Sequence, residues 1–408
     1  MEKESYEFMK ILSIDDARQF AKDKVVVIIT GVTGQDGSFM ADYLLKTTDY
    51  EIFGGARRLS VANHENVTHL ETNPRFHLIN FDLTDAHSIS QIISQLKPTF
   101  FINFAAQSFV KSSWDFPAQT WETNTTSMIH ILESIRLHCP YCRFYNAGSS
   151  EEFGNVAYTP QDENHPMRPR SPYGASKAAA RQLVKVYRES YGLYAIQGWL
   201  FNHEGTRRGE EFVTRKITKA VARIKQSIDK GVPFEPLELG NLDARRDWSD
   251  AEDCVQAVWK MLNQDQYSTR VPDFNTKYPV DTYSEEDYPK WWKNDLIPNL
   301  TEYVVSSGEC HTVREFVEEA FTVAGIQGQW YITDNDPTSE RYIYWKPDGT
   351  TDGISLVRVN PAFYRPAEVE HLLGDNTKII GELKWKPTVT FKDLVKKMVK
   401  RDLELINL

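Results

Sequence analysis

Cysteine is scarce in this sequence. Cys139, Cys142, Cys254 and Cys310 are too few and too scattered for the disulfide framework of a secreted domain, which points to reduced thiols and a cytoplasmic setting. Cys139-Pro-Tyr-Cys142 has the spacing of half a zinc or redox site. No second pair completes a tetrahedral set, and the motif ends a helical pattern instead of starting one, so no metal is expected. Long apolar runs are missing too. The longest strand-like stretch, Val25 to Ile29, is far too short to span a bilayer, and the charged first 24 residues lack the apolar core of a signal peptide. A basic excess is absent: 47 Lys and Arg against 57 Asp and Glu leave a net charge of −10, which argues against nucleic acid as a partner. An anionic small molecule stays possible, because a few local arginines can build a basic pocket inside an acidic protein. There is no internal repeat and no low-complexity segment.

What is present is the alternation of a parallel sheet. A chain of 408 residues is long enough for one large α/β domain carrying a second lobe. From Val25 onward short apolar runs alternate with helical patterns: VVVIIT at 25, EIFGGA at 51, FHLINF at 76, TFFINFA at 99, CRFYNAG at 142 and YAIQGWLF at 194. Successive βα units read this way, so an α/β fold is expected, a doubly wound parallel Rossmann-like sheet with a smaller C-terminal substrate-binding lobe. Ahead of it, residues 1–24 form an extension. The spacing of Phe8, Ile11, Leu12, Ile14 and Phe20 predicts a short helix there, packed on the body or on a neighbouring subunit. Residues 264–303 mix aromatics, proline and acidic residues and read as an inserted loop with its own packing cluster. The last segment, FKDLVKKMVKRDLELI, is an amphipathic helix that closes the core.

The first strand runs into Gly31-Val-Thr-Gly34-Gln35-Asp36-Gly37 and then a helical pattern from Ser38 to Lys46. Glycines so placed allow a tight turn, let backbone N–H groups approach a pyrophosphate and let the helix pack closely on the sheet, with its N-terminus facing the anion. NAD-binding units end their second strand in an acidic residue that holds the ribose 2′-hydroxyl. Here the strand runs into Arg57-Arg58, which suits a 2′-phosphate, so NADP is the expected cofactor. Asp82-Leu83 and Ala105-Ala106-Gln107-Ser108 fall at the carboxyl ends of later strands, where such folds bind ligands, and the expected contacts extend to Thr123. Residues 25–205 are therefore read as the NADP-binding domain, with a return to it around 239–262, and 206–408 mainly as the substrate lobe.

The fifth strand ends in Gly148-Ser149-Ser150-Glu151-Glu152-Phe153-Gly154, and about twenty residues on comes Ser171-Pro-Tyr173-Gly-Ala-Ser-Lys177. Tyr and Lys four apart share a helix face, so the ammonium can depress the phenol pKa while holding a ribose hydroxyl of the cofactor. Such a tyrosinate can take the proton of an alcohol as hydride leaves its carbon.

This order of motifs is that of the extended short-chain dehydrogenases, and from Val25 onward the chain resembles the GDP-mannose 4,6-dehydratases. TGVTGQDG at 30, NFAAQSFV at 103, SSE at 149, YGASK at 173, FNHEGTRRGEEFVTRKIT at 201, LGNLDARRDW at 239 and FYRPAEVEHLLGD at 363 carry the resemblance. They leave out the first 24 residues and the 264–303 segment. The resemblance implies that Ser149, where the family usually has threonine, directs its hydroxyl at the sugar O4. It implies further that Glu151 removes the C5 proton, that Tyr173 is the base at the C4 hydroxyl and that Lys177 is its partner. His203 and Arg208 match cofactor contacts. Asn202, Val213, Lys216, Arg246, Arg365 and Glu368, with Ser108, match substrate contacts, the cations suited to a diphosphate and the carboxylate to a ribose hydroxyl. The implied reaction is redox-neutral loss of water from GDP-mannose, giving a 4-keto-6-deoxy sugar, by a homo-oligomer (dimer or tetramer). Two segments depart from the pattern: the family's STSELYG is GSSEEFG here, and its SPYAVAK is SPYGASK. These spellings are closer to GDP-4-keto-6-deoxy-mannose reductases. That reaction, dehydration of another GDP-sugar such as a GDP-heptose, and a non-catalytic NADP sensor are the alternatives.

Overall fold

The computed structural model describes residues 11–59, 63–267, 299–333, 336–345, 353–364 and 371–406. Phe8, Arg365, Glu368 and most of the 264–303 segment lie outside them.

All six apolar runs are strands. With β1 (Ile11–Leu12), they are β2 (Val26–Thr30), β3 (Glu51–Ala56), β4 (Phe76–Asn80), β5 (Phe100–Asn103), β6 (Arg143–Ala147) and β7 (Ala195–Leu200). The order across the sheet is β1-β4-β3-β2-β5-β6-β7, followed by the short strand Val304–Val305, and every pairing is parallel. Along β2 the side chains alternate between two cores: Val27 and Ile29 pack on one face, Val26 and Ile28 on the other. Burial on both faces is why the strands read as continuous apolar runs. The strand order reverses between β2 and β5, which opens a crevice at their carboxyl ends.

The N-terminal segment differs from the expected single helix. Ile11 and Leu12 pair with Leu78 and Ile79 as an added edge strand, and the helix spans only Ile14–Ala21, with Ser13 capping its first turn. The open edge of β4 offers backbone groups that an extended segment satisfies and a helix does not. Phe20 is half-exposed, yet its ring stacks on His77 at 4.4 Å.

After β7, Asn202–Glu204 pairs in parallel with Trp248–Asp250. Asp250 then caps the helix Ala251–Leu262, whose Val255, Val258 and Leu262 share a core with Val27 and Ile29. The ends of the expected insertion also belong to this core. Gln264 is fully buried and clasps Thr301 through both backbone groups (2.8 and 3.1 Å), and Tyr303 is fully buried. A separate core joins the helices Val213–Lys230, Val313–Val323 and Phe391–Ile406 to a four-stranded sheet (Leu237–Leu239, Gly328–Tyr331, Arg341–Tyr344, Ile354–Val359). Among the described residues no helix is long and apolar enough to cross a membrane, no acidic, histidine or cysteine group is arranged to hold a metal, and the four cysteines are free.

Candidate active site

One cavity of about 880 Å³ runs from the carboxyl ends of the parallel strands to the second lobe. At its sheet end, the helix Gln35–Thr47 starts at Gly34 with no side chain capping it, which leaves N–H groups at the cavity wall. The turn needs its glycines. Gly31 has φ +66°, and a Cβ on Gly37 would lie 2.4 Å from the Gly31 carbonyl oxygen.

Behind this turn His203 bridges two acceptors, with Nε2 2.8 Å from Asp36 Oδ2 and Nδ1 2.7 Å from the Phe201 carbonyl. Burial disfavours the charged ring, but the Asp36 carboxylate outweighs it and raises His203 above its ordinary value. Asp36 is correspondingly held low: burial opposes this, and His203, Arg208 and the Gln35 amide overcome it. Each partner thus favours the charged form of the other, and the pair joins the cofactor-turn helix to the strand that follows β7. Arg208 pairs with Glu204 at 3.0 Å and lies 3.5 Å over the Phe212 ring.

The catalytic candidates lie together. Ser149 caps a short turn, Ser150–Glu152, at the end of β6, and its Oγ accepts the Glu151 N–H at 3.2 Å. Tyr173 and Lys177 share a face of the helix Pro172–Tyr191, which Ser171 caps and Pro172 opens. Lys177 Nζ donates to the Ala147 carbonyl at 2.8 Å and stands 5.9 Å from the centre of the Tyr173 ring. The expected depression of the phenol pKa is not what this arrangement gives. Burial holds Tyr173 up at about 12, against the lowering effect of its hydrogen bond with Ser149. Burial likewise pushes Lys177 down to about 8, with Glu152 and Asp36 partly restoring it. Burial disfavours the charged form of both groups.

Gly31, Gly34, Gln35, Asp36, Gly37, Ala105, Ala106, Ser108, Ser149, Glu151, Tyr173, Lys177, Asn202, His203, Arg208, Val213, Lys216 and Arg246 all line the cavity. Lys216 donates to the Glu238 carbonyl at 2.7 Å and lies 3.9 Å over Phe363; Arg246 is buried and donates to the Arg245 carbonyl at 2.8 Å. Among the described residues, the other expected contacts lie off the wall. Arg57 and Arg58 follow β3 on the surface. Asp82 accepts from Thr84, Leu83 is in the core, and Thr123 accepts from Ser127 through its carbonyl. Gln107 is held from behind by Asn124, which bonds both its N–H and its carbonyl.

Asn124 also donates to Ser176 Oγ, 52 residues away, which in turn donates to the Tyr173 carbonyl. The sequence carries no local signal for this link, because a buried amide in a helix looks like any other helical polar residue until its distant partners are known. Lys111, Phe212 and Phe363 on the cavity wall were equally invisible. Among the described residues, Gln35 Oε1 and Asn202 Oδ1 on the wall are buried without a hydrogen-bond partner, the condition of acceptors awaiting donors from a ligand.

Comparison with known proteins identifies the family. The GDP-mannose 4,6 dehydratase family profile matches residues 28–295 and 286–398. A GDP-mannose 4,6 dehydratase of Drosophila melanogaster is 41% identical over 402 residues, 95% of this chain and 88% of that one. Among solved structures, RMD from Pseudomonas aeruginosa complexed with NADPH superposes with a TM-score of 0.65 at 20% identity, covering 93% of this chain and 99% of that one. DesIV, a dTDP-glucose 4,6-dehydratase from Streptomyces venezuelae with NAD and TYD bound, does so with a TM-score of 0.69 at 19% identity, covering 93% and 97%. The last two likenesses establish the fold, and the profile and the fly relative establish the family: this chain belongs to the GDP-mannose 4,6-dehydratases.

Proposed function

We propose that this protein converts GDP-mannose to GDP-4-keto-6-deoxy-mannose with loss of water, using tightly held NADP that is regenerated in each turnover. The observation that carries the reading is the meeting of Ser149, Glu151, Tyr173 and Lys177 on one wall of a cavity that begins at an uncapped glycine-rich helix N-terminus and ends beside Lys216 and Arg246. The glycine turn, Ala105, Ala106, His203 and Arg208 would hold the dinucleotide, and Arg57 and Arg58 its 2′-phosphate. When bound, NADP supplies the reversible two-electron store that oxidises C4 and later reduces C6. Tyr173 takes the C4 hydroxyl proton, with Lys177 beside it on the same helix face as its partner, and Ser149 orients O4. The 4-keto group acidifies C5, Glu151 removes that proton, and the C6 hydroxyl leaves as water. Lys216 and Arg246 would take the diphosphate, and Asn202 and Val213 the rest of the GDP moiety, with Arg365 and Glu368 as further GDP contacts.

The test is redox bookkeeping. Purified protein given GDP-mannose, catalytic NADP⁺ and no reductant should form a product lighter by one water while total NADPH stays flat. A reductase, the reading that GSSEEFG favours, would leave GDP-mannose untouched and consume one NADPH per supplied 4-keto-6-deoxy sugar. A sensor would do neither, and a GDP-heptose dehydratase would dehydrate only that sugar.

NADP, in preference to NAD, follows from Arg57-Arg58 where an acidic residue would serve NAD. Replacing both with alanine should weaken NADP by roughly 2–4 kcal/mol, the scale of charge-assisted hydrogen bonds, and NAD hardly at all. Equal weakening of the two cofactors in a fluorescence titration would refute the assignment. We also read the protein as a cytoplasmic homo-oligomer. Trp121, Ile129, Leu137, Val186 and Tyr191 stand exposed on and beside two packed helices, Ser127–His138 and Pro172–Tyr191, and a mass measurement in solution reads the outcome directly.

A further inference from the structure

The two departures from the family spelling meet in space. Glu152 stands where STSELYG has leucine, and Gly174 where SPYAVAK has alanine. Glu152 is 0% exposed and off the cavity wall. Its Oε1 accepts the Ser149 N–H at 2.8 Å and the Gln197 amide at 3.0 Å, and its Oε2 accepts Arg181 Nε at 2.5 Å. Together with Ser149 Oγ accepting the Glu151 N–H, these bonds close a box around the turn that carries both Ser149 and Glu151. Gly174 serves the same turn: a Cβ there would lie 2.6 Å from the Glu151 carbonyl oxygen, so only glycine lets the Tyr173 helix sit this close.

The box is anchored on both sides. Arg181 also donates to the Gln197 carbonyl at 2.5 Å and to Glu302 at 2.6 Å, and Glu302 is shared with Arg188 at 2.9 Å. Gln197 continues through Asn146 (2.6 Å) and Asn103 (2.8 Å) to Thr30 (2.5 Å), the residue before the cofactor turn. A buried carboxylate and guanidinium gain little net stability over apolar residues of similar volume. What three donors at fixed positions do give the carboxylate is direction, and the turn inherits it.

We propose that Glu152, held by Arg181 and Gln197, is a positioning residue that fixes Ser149 and Glu151 toward the cavity without touching substrate. The proposal rests on Glu151 being the base at C5. The groups facing Glu152 are Arg181, Lys177 and Tyr173 from the Pro172–Tyr191 helix, Tyr145 of β6, Glu151 on its own turn, and Glu302 with Arg188 behind Arg181. Its negative charge raises both the Tyr173 phenol and the Lys177 ammonium, so neutralising it lowers both.

Three variants test this. Glu152→Gln keeps an acceptor for the Ser149 N–H, and should retain most of kcat while moving the pH limbs of kcat to lower pH, a shift that a purely structural residue would not produce. Glu152→Leu should lose kcat about 100-fold, the scale of a 1 Å misplacement, with KM within about threefold, and should speed amide exchange in residues 148–154. Because Glu152→Leu leaves Arg181 buried with one of its two carboxylates gone, the Glu152→Leu/Arg181→Met double variant removes both partners. It should fold, and show the same loss of kcat and the same faster exchange. A folded double variant with wild-type kcat and wild-type exchange at 148–154 overturns the proposal, as does an unshifted pH profile in Glu152→Gln. If the wild-type protein releases no water from GDP-mannose, the assigned reaction fails separately, and amide exchange alone then decides whether Glu152 orders the turn.

Discussion

Glu151→Gln is expected to abolish dehydration, by about a thousandfold or more, while the protein keeps its fold and its NADP content. The amide is isosteric but cannot accept the C5 proton, and general-base contributions typically span roughly 10²–10⁴-fold. The turn should survive, because the side chains that hold it are Ser149 and Glu152. In the proposed mechanism oxidation at C4 is the work of Tyr173 and Lys177 and should persist, so the variant given GDP-mannose should show NADPH absorbance without releasing water. Near-normal turnover would remove Glu151 from the mechanism.

Gly37→Ala should badly damage the cofactor turn. The new Cβ would meet the Gly31 carbonyl oxygen at 2.4 Å and Val32 Cα at 2.6 Å, both backbone atoms that cannot swing aside. Overpacking of this kind costs about 1–3 kcal/mol, and relieving it must open the turn on which the pyrophosphate is expected to sit. Affinity for NADP is predicted to fall by about 100-fold or more, with a lowered melting temperature. The control is Gly381→Ala, in the helix Thr377–Leu383, where a Cβ meets nothing within 4 Å; it should be neutral or slightly stabilising. Undiminished NADP binding by a folded Gly37→Ala protein would show that the turn does not cradle the dinucleotide.

The six strands, the helix after the glycine turn and the closing helix Phe391–Ile406 were legible from residue order alone, because burial on both faces of a parallel sheet imposes apolar runs and one-sided burial of a helix imposes a period. The same holds for the pairing of Tyr173 with Lys177, since four residues on a helix fix a shared face. What a period cannot report is a partner far along the chain. Ile11 and Leu12 have apolar spacing that fits a helix, and only the open edge of β4 makes them a strand. Lys177 was expected to depress the Tyr173 phenol pKa, but how deeply each is buried is a property of the folded site, and burial sets both pKa values against ionisation. In the sequence Glu152 is simply the neighbour of Glu151. Its position inside a ring of donors from Ser149, Arg181 and Gln197 comes from three separate elements converging, so only the tertiary structure could decide that one of two adjacent glutamates faces the cavity and the other is locked behind it.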